Sequence, residues 1–425
     1  MHVRYNHYLI ICMLFLYGGL SPSALAQSKK RVLFLGNSYT AVNGLPGLLA
    51  NMALSAGDTV ISVSYAPGGY TLQDHAFNNT SLSRIRSGSW DFVVLQEQSQ
   101  LPSFPIEQVT AEVFPYARYL DSVIKAHNSC AQTIFYMTWG RKNGDAQNCA
   151  GWPPVCTYLG MDSLLRMRYL MMAENNHALV SPVGAVWRYI RHYFPHINLY
   201  SSDNSHPSAA GSYAAACAFY SSIFRKDPTA ITNDFSLNAA DAANIRAAAR
   251  AVVFDSLITW NIGRYDSRAD FNFVAQGNRR VQFTNQSSET DNFVWYFGDG
   301  DSSLERNPLH LYRQGGNYLV TLQTRNCFSA DTIMKQVLAC PPGFPGCDTV
   351  SLFSVYPNPV RDRLTVTVPV TGHLFVLNAL GQVMRPPVEV TPGKLDIDMT
   401  GWPANMYIIV YDGEGRRQKI KVIKR

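Results

Sequence analysis

Arg31-Val32-Leu33-Phe34-Leu35-Gly36-Asn37-Ser38-Tyr39-Thr40 is an apolar run that stops at a glycine and delivers a serine. A short continuous apolar segment bounded by a turn residue reads as a strand buried on both faces. Gly36 permits a sharp turn there, lifting Ser38 to the tip of a sheet and to the start of the following helix. Backbone N–H groups at such a helix start face a developing negative charge. A hydroxyl is a weak nucleophile until a base takes its proton, so a catalytic Ser38 requires a histidine from elsewhere in the chain. Without that partner, Gly-x-Ser after a strand is an ordinary turn or helix cap.

Outward from this stretch, β-like and helix-like segments alternate as far as Arg264. Strands are predicted at Val60–Tyr65, Asp91–Gln96, Thr133–Thr138 and Ala178–Pro182. Helices are predicted at Leu45–Ala56, Glu107–Ala126, Met161–Ala173, Ser208–Phe224 and Ala239–Trp260. Such alternation implies a parallel sheet covered on both faces, with the ligand site beyond the carboxyl ends of its strands. Near the end of this block stands Asp203-Asn204-Ser205-His206-Pro207. A three-residue spacing lets one tight turn hold a carboxylate against an imidazole and set its tautomer. Taken alone it is also the pattern of an Asp cap beside a surface histidine.

Together the two motifs resemble those of the SGNH (GDSL-like) hydrolases. The family's Gly-Asp-Ser is matched by Gly36, Asn37 and Ser38, and its Asp-x-x-His by Asp203 and His206. The resemblance implies a flavodoxin-like α/β sheet and a cofactor-free, metal-free triad of Ser38, His206 and Asp203. It also implies an oxyanion hole built from the N–H of Ser38, a glycine after the second strand and a side-chain amide after the third. Pro67-Gly68-Gly69 supplies the glycine, with Gly69 favoured. Leu95-Gln96-Glu97-Gln98 stands where the family carries Gly-x-Asn-Asp, which makes Gln96 or Gln98 the candidate amide donor. Trp139 and Arg141 open a long loop after the fourth strand. They are candidates for a pocket wall, Trp139 by stacking on a sugar and Arg141 by holding a carboxylate; core packing and a solvated arginine are their other readings.

Beyond Ser267 the pattern turns all-β. Trp295 to Gly300, followed by Tyr312, Gly316 and Tyr318, resembles a PKD domain, an immunoglobulin-like module predicted over 268–340. A Pro/Gly/Cys linker at 341–349 leads to a unit over 350–425. There Tyr356-Pro357-Asn358-Pro359 and the terminal Asn405-Met406-Tyr407 resemble the C-terminal sorting domain of the type IX secretion system of Bacteroidetes. The expected architecture is therefore one α/β block, residues 29–264, and two small β-sandwiches.

The chain is 425 residues long, and 47% of them are hydrophobic, enough for real cores. Arg4, an apolar run from Leu9 to Tyr17 and Ala24-Leu25-Ala26 read as a secretory leader, 1–26, with the mature chain starting near Gln27. The formal charge of +6 is matched by Arg416, Arg417, Lys419, Lys421, Lys424 and Arg425 alone. No basic face for nucleic acid is implied, and the basic tail reads as a solvated edge strand or an interaction tail. No segment reads as a membrane anchor. Of 8 cysteines, Cys12 falls in the leader, and Cys149–Cys156 and Cys340–Cys347 each close a short loop suited to a disulfide. The expected activity is secreted ester hydrolysis, with O-acetyl groups on a glycan as substrate. Lipase or lysophospholipase chemistry, and a non-catalytic glycan-binding surface protein, are the alternatives. Type IX secretion machinery is the expected partner.

Overall fold

The computed structural model of the chain describes residues 28–340, 353–413 and 416–424. The expected leader and linker, with Cys347, lie outside them. The described residues form two compact units, one ending at Tyr265 and the other beginning at Asp266.

In the first unit, β1 (Lys29–Leu35), β2 (Thr59–Tyr65), β3 (Phe92–Leu95), β4 (Gln132–Tyr136) and β5 (Leu179–Ser181) form one parallel sheet in the order β2-β1-β3-β4-β5. This is the flavodoxin order, in which the chain reverses direction across the sheet beside β1. The crossovers carry helices: α1 (Ser38–Ala41), α2 (Leu45–Ser55), α3 (Leu72–Phe77), α4 (Asn79–Arg86), α5 (Ile106–Glu112), α6 (Phe114–His127), α7 (Tyr158–Asn175), α8 (Val183–Tyr193), α9 (Ala209–Phe224) and α10 (Ala239–Val252). Val32 to Leu35 are completely buried, as a two-sided strand requires. Every residue of α9 from Ala210 to Phe224 is buried as well, and its alanines let α2, α8 and α10 pack closely around it.

Three departures from the predicted elements have local causes. The helix expected over Glu107–Ala126 is two helices, broken at Val113 (φ −120°), where Pro115 in the first turn of α6 cannot donate to a continuing ladder. The helix expected to reach Trp260 ends at Val252 and gives way to a 3-10 turn over Phe254–Trp260, kinked at Ser256 (φ −140°). The third is α3, α4 and α8, which fill segments left unassigned in the sequence. Asn78 and Thr71 cap two of these starts, and the Thr71–Asp74 pair is a capping box.

Among the described residues, the paired strands of the second unit are antiparallel. Its first part has a three-stranded sheet of Leu309–Leu311, Arg280–Asn285 and Phe271–Ala275, and a four-stranded sheet that includes Ala330–Ala339, Gly316–Arg325 and Asn292–Tyr296. Phe271, Phe283, Trp295, Val320 and Leu322 from both sheets share one core, which makes the pair a sandwich. From Phe353 onward two further sheets share a second core around Leu364, Val366, Leu374, Ile409 and Tyr411. The basic strand Arg416–Ile423 lies at the edge of its sheet, where Lys and Arg discourage further strand pairing.

Candidate active site

Side chains add to the backbone pairing of Leu35 and Gly36 at the carboxyl end of β1. Asn37 caps α1 by accepting from Tyr39 N–H (3.1 Å), which sets Ser38 at the first helical position. The Asn37 N–H donates to Gln96 Oε1 (3.0 Å), and Gln96 Nε2 returns a bond to Asn37 Oδ1 (2.7 Å). Asn37 Nδ2 donates to the carbonyl of Tyr70 (2.9 Å), tying in the Pro67–Tyr70 turn. Gly36 is a glycine because of crowding. A Cβ there would lie 2.4 Å from Thr40 Oγ1 and 2.7 Å from Gln96 Oε1. Beneath it, buried His75 donates from Nε2 to the Gly36 carbonyl (2.9 Å), while its Nδ1 accepts from Ser81 (2.8 Å). Burial lowers the pKa of His75 and favours this neutral form.

The second turn arrives from the loop after α8. Asn204 takes a left-handed conformation (φ 59°), tolerable for Asn, and closes the turn tightly. Asp203 Oδ1 accepts from the N–H groups of Ser205 and His206 (3.0 Å each), and its Oδ2 accepts from His206 Nδ1. Partial burial works to raise the Asp203 pKa, but the hydrogen bonds from His206 and the two backbone groups outweigh it and hold the carboxyl below its ordinary value. The other ring nitrogen, His206 Nε2, lies 2.9 Å from Ser38 Oγ. Two turns far apart in sequence thus meet above the sheet.

The meeting is braced from three sides. The Tyr39 and Ser205 hydroxyls are 2.6 Å apart, and Asn43 Nδ2 reaches Ser208 O (3.1 Å) and Ser212 Oγ (2.9 Å). Trp139 is fully buried between Tyr39 (centroids 4.7 Å) and Trp187 (3.7 Å), and its Nε1 donates to Ser205 O (3.0 Å). Trp139 therefore supports the histidine turn from within and offers no face to a sugar. Arg141 is likewise no open wall: it pairs with the buried Asp145 (3.0 Å), which also accepts from Gln100 and Asn148. The Cys149–Cys156 disulfide closes the same loop.

Among the expected oxyanion donors, Gly69 is exposed in a turn (φ 74°) closed by Tyr70 N–H on Pro67 O (3.3 Å). Gln96 is completely buried, and its two amide hydrogens go to Asn37 Oδ1 and Glu97 O (2.8 Å). It braces the serine turn instead of donating into the site. Gln98 accepts from the N–H groups of Gln100 and Leu101 and gives one amide hydrogen to Gln100 Oε1. Between them lies Glu97, fully buried, its carboxyl receiving Leu72 N–H and Gln98 N–H. Burial pushes its pKa up to about 8. The bracing roles of Asn37, His75 and Glu97 were missed in the sequence; an Asn just before Ser-Tyr-Thr is a cap signal, but nothing local marks the other two.

The triad atoms form no metal cluster. In the second unit Asp299, Asp301 and His310 place ligand atoms within 4.8 Å of one another. There, however, Asp299 Oδ2 already holds His310 (2.8 Å) and Oδ1 caps Asp301 N–H (3.1 Å). No helix among the described residues is long and apolar enough to cross a membrane.

Known proteins match the chain piece by piece. A collagenase, ColA, from Bacillus cereus is 35% identical over 54 residues, which are 12% of this chain and 6% of the collagenase. A solved protein from Bacteroides uniformis, of a family with no assigned function, aligns with 17% identity and a TM-score of 0.46, over 54% of this chain and 95% of its own. A protein from Slackia heliotrinireducens, described as an SGNH hydrolase, aligns with 30% identity and a TM-score of 0.36, over 45% of this chain and 97% of its own. Family models match residues 269–337 (PKD domain) and 354–425 (secretion system C-terminal sorting domain). Behind its flavodoxin-like α/β unit, the chain therefore carries a PKD domain and a type IX sorting domain that addresses it to the cell surface or the medium.

Proposed function

We propose that the first unit is a serine esterase of the SGNH type, acting outside the cell on ester groups, O-acetyl groups of a glycan in particular. One observation carries this reading: the 2.9 Å approach of Ser38 Oγ to His206 Nε2, with Asp203 on the opposite ring nitrogen. That order of groups raises the nucleophilicity of an alcohol at neutral pH without a metal. His206 takes the Ser38 proton as Oγ attacks the ester carbonyl. The N–H groups of Ser38 and Gly69, with Gln98 as the side-chain donor, receive the oxyanion. His206 then protonates the departing alcohol, and water, activated by the same imidazole, releases the acid.

Openness favours a large substrate over a buried acyl chain. The side chains of His206 and Asp203 are 35% and 47% exposed, so an ester displayed on a bulky body reaches the serine without entering a tunnel. The test is hydrolysis of p-nitrophenyl acetate and octanoate by the full chain, with Ser38→Ala as control. Acetate hydrolysis lost in the variant is the expected result. A parent that cleaves neither ester, or a Ser38→Ala chain as active as the parent, overturns the reading.

A further inference from the structure

On the first unit, α7, α8 and Val252 line an open groove of roughly 550 Å³. Its walls are Tyr158, Arg166, Arg188, Tyr189, Arg191 and Tyr193. The charges do not cancel. Buried Asp162 faces Arg188 at 3.5 Å, whereas Arg166 rests on the Trp260 ring (4.9 Å) and Arg191 on the Tyr158 ring (3.7 Å). Neither Arg166 nor Arg191 makes an ion pair among the described residues. An arginine stacked on an aromatic ring loses little entropy on binding an anion; Arg166 keeps its in-plane N–H groups for one, whereas Arg191 spends part of its own on Lys142 O. The Tyr158 hydroxyl is buried in this lining beside the Asp162 carboxyl.

One residue, Lys142, links the groove wall to the reacting turn. Arg191 Nη2 donates to Lys142 O (3.1 Å), and Lys142 N–H donates to Asn204 O (2.9 Å), the residue beside Asp203. Tyr193, 59% exposed, and Tyr189 offer ring faces of the kind that pack on sugars. We infer that this groove binds a carboxylate-bearing stretch of the polysaccharide whose ester meets Ser38, so that the substrate is an acetylated anionic glycan. The inference rests on the esterase reading for its catalytic half only. Planar guanidinium groups pair with uronate carboxylates in two-point fashion, and aromatic walls match the pyranose faces between them.

The experiment uses the full chain and the double variant Arg166→Gln, Arg188→Gln, which leaves the triad and the Arg191–Lys142 link untouched. Binding is read by affinity electrophoresis in gels containing polygalacturonate, which needs no turnover. The parent is expected to be retarded in low salt and the double variant much less so. Catalysis is read as acetate release from acetylated pectin and acetylated glucomannan beside p-nitrophenyl acetate. KM for pectin is expected to rise about tenfold in the variant, the scale of a lost charge-assisted pair, with the small ester unchanged. Equal retardation of the two proteins, equal KM for pectin, or stronger retardation by DNA or anionic lipid vesicles than by polygalacturonate overturns the groove assignment. Retardation that depends on the arginines in a chain without esterase activity overturns only the catalytic reading.

Discussion

Asn37 and the side chain of Gln96, 59 residues apart, lock together by two reciprocal bonds, the backbone N–H of Asn37 to Gln96 Oε1 (3.0 Å) and Gln96 Nε2 to Asn37 Oδ1 (2.7 Å). The lock joins the ends of β1 and β3 immediately before the serine. Because the lock and Tyr70 engage both polar atoms of the Asn37 side chain, the residue is held at one rotamer.

Asn37→Asp keeps the helix cap but replaces the donor to Tyr70 O with an anion facing a carbonyl. Losing that bond inside a buried network costs about 1–3 kcal/mol and loosens the turn that bears Gly69. The expected outcome is a lowered Tm and a reduced kcat on p-nitrophenyl acetate, with KM little changed. An unchanged kcat would show that the bond to Tyr70 is irrelevant to catalysis.

Gly36→Ala drives a methyl into Thr40 Oγ1 and Gln96 Oε1. Overpacking of this kind costs about 1–3 kcal/mol, read as a lower midpoint in urea unfolding. Since Gln96 must retreat, activity falls with stability.

Asp203→Asn preserves shape but removes the charge that orients His206. In a Ser-His-Asp site that loss lowers kcat by about 10⁴-fold, measurable on p-nitrophenyl acetate against Ser38→Ala as the floor.

Glu97 sets a pH dependence of stability with a definite sign. Its folded pKa, about 8, lies above the unfolded value of 4.5, so the folded state binds the extra proton between these limits. Its contribution is full below about 4.5 and is lost as pH climbs towards 8. Buried His75, lowered from 6.5, acts oppositely, contributing at higher pH and losing that contribution as pH falls below 6.5. Glu97→Gln is expected to flatten the alkaline decline of Tm between pH 5 and 8 while the acid-side loss remains. A decline as steep as the parent's would remove Glu97 from this role.

Cys149 and Cys156 stand 7 residues apart in the same connection between β4 and α7 as Arg141 and Asp145. Replacing both with Ser is expected to lower stability by about 2–3 kcal/mol, by release of loop entropy in the unfolded chain. Calorimetry of the double variant checks it.

Much of this molecule is legible in one dimension. The apolar run Val32–Leu35 and the segments that follow it declare a parallel sheet, because a strand buried on both faces has no polar alternation. The motif order Ser38, Asp203, His206 points to convergence at strand ends, because topology places those ends together. What tertiary structure alone decided is the allocation of hydrogen bonds and burial. Gln96 carries a free amide in sequence, yet Asn37 and Glu97 O consume both of its hydrogens once β1 and β3 are adjacent. Trp139 looks like a pocket wall until Tyr39 and Trp187 close on its two faces. Hydrogen-bond capacity belongs to a residue, but its partners are chosen by packing between distant segments, and no local pattern records that choice.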